Sequence, residues 1–365
     1  MNATRERKLE HIEIVLGERV EGWAGTWLDD VVFIHRALPE ADLGSVDMAL
    51  EFLGKTLSAP LMITGMTGGH PDTVEINRAL ARVAEEYRVA LGVGSQRAAI
   101  EDPSLEYTFR VAREEAPSIP LVANLGAVQL AKGYGVKEVR RAVEMIEADA
   151  IALHLNPAQE AFQPEGDTDF SGLIEKICSL AEEIDVPVMV KETGAGLSAE
   201  VVKPLYTCGI RLFDTAGAGG TSWVAVEMYR AERRGFKIHG RAARRFLGWG
   251  IPTAASIVEV RSAAPDATIV GSGGIRSGLD AAKAVALGAD VAGFARPALQ
   301  AVASGGAKEL KSLLETYLAE LRTAAFLAGC SDYRCLRRAN ILVKGRLREW
   351  MVLRGLEPES YLAAR

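Results

Sequence analysis

Apolar and polar residues follow one repeating phrase along this chain. A short apolar run leads into a glycine-rich or polar loop, and a stretch with helical spacing follows. The runs are "APLMITGM", "RVALGVGS", "IPLVANLG", "DAIALHLN", "VPVMVKET", "IRLFDTAG", "ATIVGSGG" and "ADVAGFAR", eight in all. Between them lie segments such as "TVEINRALARVAEEY" and "GLDAAKAVALG", whose apolar residues recur every three or four positions. Short strands alternating with helices build a parallel sheet. Eight such units predict an α/β fold closed into a (β/α)8 TIM barrel, not an open doubly wound sheet.

A single domain is expected over 1–365, with a cap segment at about 1–56, the barrel at about 57–305 and C-terminal helices at about 306–365. The fifty-odd residues before the barrel, including "WLDDVVFIHRALPE", are expected to form a cap across one barrel end. After the barrel, Leu310, Leu313, Leu314, Leu318 and Leu321 share one helical face, to be docked on the barrel or on a neighbouring subunit. "RRANILVKGRLREW" is basic and apolar, a candidate oligomer contact. After the sixth run comes the basic stretch "MYRAERRGFKIHGRAARRF" (228–246). It reads either as a solvated helix and loop or as a lid that attracts an anion.

Composition narrows the class. The 365 residues are 48% hydrophobic and 25% charged, ordinary for a soluble enzyme. A net charge of −6 argues against nucleic acid as a partner, so an anionic ligand must find a local basic patch. No apolar run is long enough to span a bilayer, and "MNATRERKLEHIEI" carries no apolar signal core. A cytoplasmic protein without a membrane partner is expected. Cys178 and Cys208 read as buried thiols. Cys330 and Cys335 do not match zinc spacings, so all four are expected to be structural thiols.

In such barrels the chemistry sits at the carboxyl ends of the strands. The fourth run ends in "HLNPAQE" (154–160). Ile151, Leu153 and Leu155 share the parity that faces the outer helices, whereas Ala152, His154 and Asn156 point inward. Gln159 and Glu160 follow on the loop, Glu160 being the one carboxylate of the cluster. The same reasoning selects Asn124 and Lys191 at the ends of the third and fifth runs. An ammonium near a dry interior needs an anion or an electron-rich ligand. Alternation sends Glu192 outward, so Lys191 has no evident protein partner. "GSGGIRSG" and "FARP" follow the seventh and eighth runs, the loops where this fold binds phosphate. There, bare N–H groups and a helix N-terminus attract an anion. Glycine-rich loops also follow the first and sixth runs. A phosphate site, glycine-lined walls and a central lysine together suit FMN, the lysine stabilising negative charge on the N1/C2 carbonyl edge.

Taken in order, "RKLEH" (7–11), "MTGG" (66–69), "GSQR" (94–97), "HLNPAQE" (154–160), "VKETGAG" (190–196), "AGAGGTSW" (216–223), "GWGIPT" (248–253) and "GSGGIRSG" (271–278) resemble the type 2 isopentenyl diphosphate isomerases, FMN-dependent barrel enzymes. The likeness covers nearly the whole chain. It departs at Ala216, where related enzymes often have Ser. The resemblance implies flavin contacts from Met66, Thr67, Gly68, Ser95, Asn124, Lys191 and Thr221. It implies phosphate contacts from Gly273, Gly274, Ile275, Arg276, Ala295 and Arg296. A substrate diphosphate would meet Arg7, Lys8 and Arg97, with Ser95, Gln96 and His154 nearby. Gln159 would lie by the alkene and Glu160 would hold Mg²⁺.

The implied reaction interconverts isopentenyl and dimethylallyl diphosphate, with Gln159 and His154 as catalytic candidates. Reduced FMN is the expected acid/base, NADPH or NADH priming it. A homo-oligomer, tetramer or octamer, is implied as well. Two other readings stay open. An FMN oxidoreductase of the α-hydroxy-acid type would use "IHGRAARR" with His239, Gly240 and Arg241. A non-catalytic flavin or prenyl-phosphate sensor would not need Gln159 and Glu160.

Overall fold

The computed structural model describes residues 3–364. Its centre is a closed barrel of eight strands joined by parallel pairing. They are β1 (Leu61–Ile63), β2 (Ala90–Gly92), β3 (Leu121–Gly126), β4 (Ala150–Leu155), β5 (Val188–Glu192), β6 (Leu212–Asp214), β7 (Thr268–Ser272) and β8 (Val291–Phe294). Each lies in one of the eight apolar runs, and they follow one another round the ring in chain order.

Alternation sorts the side chains. Met62, Val122, Ala152, Met189, Leu212 and Val270 pack with one another inside the barrel. Ile151, Leu153, Val190, Phe213 and Ile269 join the larger core between strands and helices. The parity expected for the fourth run is therefore the parity observed.

The amino end of the barrel is plugged by a hairpin, Leu50–Phe52 paired with Lys55–Leu57. Phe52 and Leu57 belong to the interior cluster. Its turn places Leu53 and Gly54 at φ of 51° and 74°, the left-handed pair that matches strand twist in a two-residue hairpin loop. This hairpin falls at the end of the segment 1–56 that precedes the barrel; "WLDDVVFIHRALPE", earlier in the same segment, packs elsewhere. Within the latter, Val31–Phe33 pairs antiparallel with Ile341–Val343. The apolar triplet of "RRANILVKGRLREW" is thus used within the chain, and Val31, Ile341 and Val343 are buried in the outer core.

The long helix Arg296–Leu327 breaks at Gly305 and Gly306. Its second half buries Leu310, Leu314, Tyr317 and Leu321 against helices Val74–Tyr87 and Gly278–Leu287. The leucine face therefore docks on the barrel of its own chain.

Over the carboxyl ends lies the helix Ala3–Gly17. Ile14, Val15 and Val20 pack against Val224, Met228, Leu247 and Leu299. The basic stretch forms parts of the helices Trp223–Arg233 and Lys237–Arg245. Several of its charges are matched by acids. Arg230 is buried against Glu10, Glu165 and Glu227, Arg234 pairs with Glu10, and Arg233 with Glu18. These arginines clamp the N-terminal helix down instead of standing free for a ligand.

The cysteine expectation is corrected: Cys178 is bonded to Cys208 and Cys330 to Cys335. The first pair meets because the helices Leu173–Glu183 and Ala199–Thr207 pack side by side, a proximity that spacing does not encode. Among the described residues no helix is long and apolar enough to cross a membrane.

Candidate active site

A cavity of about 460 Å³ opens at the carboxyl ends of the strands, bordered by Thr64, Asn124, His154, Lys191, Ser272 and Ala295 from six of them and by the N-terminal helix. β4 and the turn after it deliver one wall. His154 Nδ1 lies 2.8 Å from Asn124 Oδ1. The Asn124 amide is oriented by Nδ2 donating to the Val93 carbonyl, so its Oδ1 must accept. The ring therefore carries its hydrogen on Nδ1 and presents Nε2 as an acceptor. Burial, reinforced by Lys191 and Lys8, holds the imidazole down to about 3, which keeps it neutral.

Beyond the strand, Asn156 Nδ2 donates to Gln159 Oε1 at 3.1 Å and to Glu160 Oε1 at 2.8 Å. Pro157, which lacks an N–H, opens the short helix Pro157–Phe162 that carries both. Gln159 Nε2 donates to Glu227 Oε1 at 3.2 Å. Glu227 is fully buried and shares His11 Nε2 at 2.9 Å and Arg230. Burial opposes its ionisation, yet His11 and Arg230 hold its carboxyl below the usual range. Glu160 is thus not the only acid by the reacting end. Sequence reading missed Glu227, and took His11 only as part of a motif, because the helices that carry them meet β4 only in the folded barrel. The Glu160 carboxyl also accepts from the Asp167 N–H at 2.7 Å, and burial raises it.

Lys191 has a partner after all. Register sets it directly opposite Asp214, and its Nζ lies 3.3 Å from Asp214 Oδ2 and donates to the Glu192 carbonyl at 2.7 Å. Asp214 is wholly buried and also accepts from Ser272 Oγ. The available signal was a carboxylate on the inward parity of β6. The Glu192 carboxylate instead accepts the N–H groups of Thr193, Gly194, Ala195 and Gly196, which shapes the loop bordering the cavity. Burial still raises it to about 7.

Gly273 and Gly274 adopt φ of +108° and +75°, and a Cβ on Gly273 would stand 2.2 Å from the Gly217 carbonyl oxygen. Glycine is needed here so that the loops after β6 and β7 can close on each other. The guanidinium of Arg296 binds the Val15 and Glu18 carbonyls and the Glu21 carboxylate. That of Arg276 binds the Gly219 and Gly274 carbonyls, 3.8 Å from Glu21. Arg296 thus straps down the N-terminal segment and Arg276 ties together the loops after β6 and β7, while the Arg276 N–H donates to Asp280 at 3.0 Å.

On the opposite side three cations converge. Lys8 Nζ donates to the Ser95 carbonyl at 3.3 Å. Burial, with Arg7 and Arg97 adding repulsion, lowers Lys8 to about 8. Arg7 lies 4.0 Å from Glu165, and Arg97 pairs with Glu101 and, at 3.5 Å, Asp167.

The cavity wall includes Arg7, Lys8, Met66, Thr67, Ser95, Arg97, Asn124, His154, Gln159, Glu160, Lys191, Thr221, Gly273, Gly274, Ile275, Arg276, Ala295 and Arg296. Gly68 and Gln96 are not on it. A Cβ on Gly68 would collide with Phe109, and the Gln96 side chain bonds the Ala142 carbonyl and the Asn124 N–H. They shape the wall from behind. His239, whose ring lies 6.0 Å from that of Phe236, does not line the cavity, so the geometry gives no support to the histidine on which the α-hydroxy-acid reading rests. Ala216 does line it, at φ 37°.

These residues fit a flavin mononucleotide. Thr67 Oγ1 is buried at the wall without a hydrogen-bond partner among the described residues. The strand-end ammonium and the glycine turn line the same cavity. For a divalent cation the described residues hold no cluster of three or more ligating side chains. Glu160 alone fits an ion that arrives with a diphosphate, since Mg²⁺ is commonly held by one or two carboxylates, water and substrate phosphates.

Comparison with known proteins agrees with this geometry. A family model described as FMN-dependent dehydrogenase matches residues 135–343. The isopentenyl-diphosphate delta-isomerase of Aeropyrum pernix is 53% identical over 98% of this chain and 95% of its own length. That of Ignicoccus hospitalis is 52% identical over 99% of each. Among solved structures, a mandelate oxidase variant superposes with a TM-score of 0.64 at 21% identity, covering 94% of this chain and 100% of its own, a likeness of fold. With full-length relatives at this identity and a cofactor-family match across its second half, the chain belongs to the isopentenyl-diphosphate delta-isomerase family, on an FMN-dependent dehydrogenase barrel.

Proposed function

We propose that this enzyme interconverts isopentenyl and dimethylallyl diphosphate with reduced FMN and Mg²⁺ bound. The observation that carries the reading is a cavity with two separate places for anions. One is the backbone cradle of Gly273–Arg276 and the start of the helix at Arg296; the other is the convergence of Arg7, Lys8 and Arg97. The cradle suits the cofactor phosphate. The cations suit a diphosphate, whose charge would offset the burial and the added repulsion from Arg7 and Arg97 that lower Lys8, each charge-assisted bond contributing about 1.5–3 kcal/mol.

When bound and reduced, with NADPH or NADH as the primer, FMN would supply the acid/base chemistry. The protein's residues do the rest. Lys191, braced by Asp214, would stabilise negative charge on the bound, reduced ring. Thr67, Ser95, Asn124 and Thr221 hold the ring system. His154, neutral with Nε2 free to accept, takes a hydrogen bond from bound substrate or water. Gln159 is held between Asn156 and Glu227 and orients the alkene. An amide is a poor acid, so any proton it relays passes to Glu227. Glu160 holds the magnesium with the diphosphate. The helix Ala3–Gly17 closes the mouth and excludes water from a developing cation.

Enzyme pre-reduced under anaerobic conditions, with the donor then removed, is expected to perform many turnovers and, in heavy water, to place deuterium in a methyl group of dimethylallyl diphosphate. Stoichiometric consumption of NADPH would point to an oxidoreductase instead. Full activity with reduced 5-deaza-FMN would move the proton transfer to Gln159, Glu227 and His154.

A further inference from the structure

The helix beginning at Arg296 kinks at Gly305 and Gly306, and its second half brings Tyr317 to the wall of the cavity that Ile275, Arg276 and Ala295 also line. Tyr317 is 2% exposed, and its hydroxyl has no hydrogen-bond partner among the described residues. A buried hydroxyl left unpaired costs free energy, so such a group calls for an explanation. Packing accounts for the ring: it lies 5.0 Å from the Phe294 ring at 56°, and helix Gly278–Leu287 presses against its backbone. Packing does not account for the oxygen, since phenylalanine would fill the same space.

We infer that the Tyr317 hydroxyl is a donor to the phosphate ester of the bound flavin, a contact outside the glycine turn and the helix N-terminus. The assignment rests on the flavin reading of the cavity. Burial, with Asp280 and Glu320 adding to it, pushes the phenol well above its usual range, so the group keeps its hydrogen and remains a donor. The backbone cradle supplies N–H groups; Tyr317 supplies an O–H from the second half of the kinked helix. Sequence gave no hint, because Tyr317 stands among leucines of an ordinary amphipathic face.

Tyr317→Phe keeps the ring and removes only the oxygen. Apoprotein is titrated with FMN and with riboflavin, which lacks the phosphate, following flavin fluorescence. Relative to wild type, the variant should bind FMN about ten- to a hundredfold more weakly, the loss of one hydrogen bond to a charged group. Its affinity for riboflavin should be unchanged, which also shows that the variant is folded. Equal weakening of both ligands would assign Tyr317 to packing, and unchanged FMN affinity would remove it from the phosphate site. A wild-type protein that binds neither flavin would overturn the flavin reading and this assignment with it.

Discussion

His154→Asn tests the electrostatics of the mouth. Asn keeps an N–H donor near Asn124 Oδ1 but cannot take up a proton. In the folded protein the wild-type ring is held at about 3, against an ordinary 6.5. The unfolded chain therefore binds a proton that the native state refuses. The sign follows from linkage: the stability due to a neutral His154 is complete above the ordinary imidazole value and is lost as pH falls toward the folded one. Fully expressed, that gap corresponds to about 5 kcal/mol, of which about 3 kcal/mol would be lost between about pH 7 and pH 4. The ring is half-buried, so solvent screening reduces the expected value to about 2–3 kcal/mol. Urea unfolding of wild type and variant across that range isolates the effect, because carboxylates that titrate there do so in both proteins. Wild type should fall relative to the variant by that amount as the pH drops. Labelled imidazole Cε1 resonances give a direct check: the signal missing from the variant should keep its neutral position down to about pH 4. A His154 that titrates near 6.5 would refute the burial argument and the claim that Nε2 is an acceptor at neutral pH.

The other predictions concern the charged groups around it. Lys191→Ala should weaken reduced FMN more than oxidised FMN, measured by binding both forms, because only reduction adds negative charge to the ring; equal losses would make the lysine a general contact. Glu160→Gln should raise the Mg²⁺ concentration needed for half-maximal activity while leaving FMN affinity unchanged, and an unaltered titration would remove Glu160 from the metal. The Glu192 carboxyl sits at about 7, above its ordinary 4.5, so its contribution is present at low pH and lost as pH rises through the folded value. Wild type should therefore lose about 2–3 kcal/mol relative to Glu192→Gln between about pH 5 and pH 8, read from paired denaturation curves; parallel pH profiles would contradict the shift.

Periodicity determined a great deal by itself. A two-residue alternation can bury only one face of a strand against the barrel interior, so Ala152, His154 and Asn156 had to point one way and Ile151 and Leu153 the other. Eight such runs, each followed by helical spacing, left closure as the simplest way to satisfy their edges. The carboxyl-end rule then located Asn124, His154 and Lys191 before any coordinates. What periodicity could not reach was which side chains meet across the barrel. Asp214 became the partner of Lys191 only when β5 and β6 paired in register. Glu227 reached Gln159, and His11 reached Glu227, only when the first helix lay over the mouth and a helix after β6 rose beside it. Gln96 sits in a motif, yet tertiary packing turned its amide away from the cavity, and the same packing joined Cys178 to Cys208. The physical division is one of range. Burial of a strand or helix face is decided by neighbours along the chain, whereas hydrogen bonds, ion pairs and disulfides act over a few ångströms between groups far apart in sequence, and only the closed barrel brings those groups within that distance.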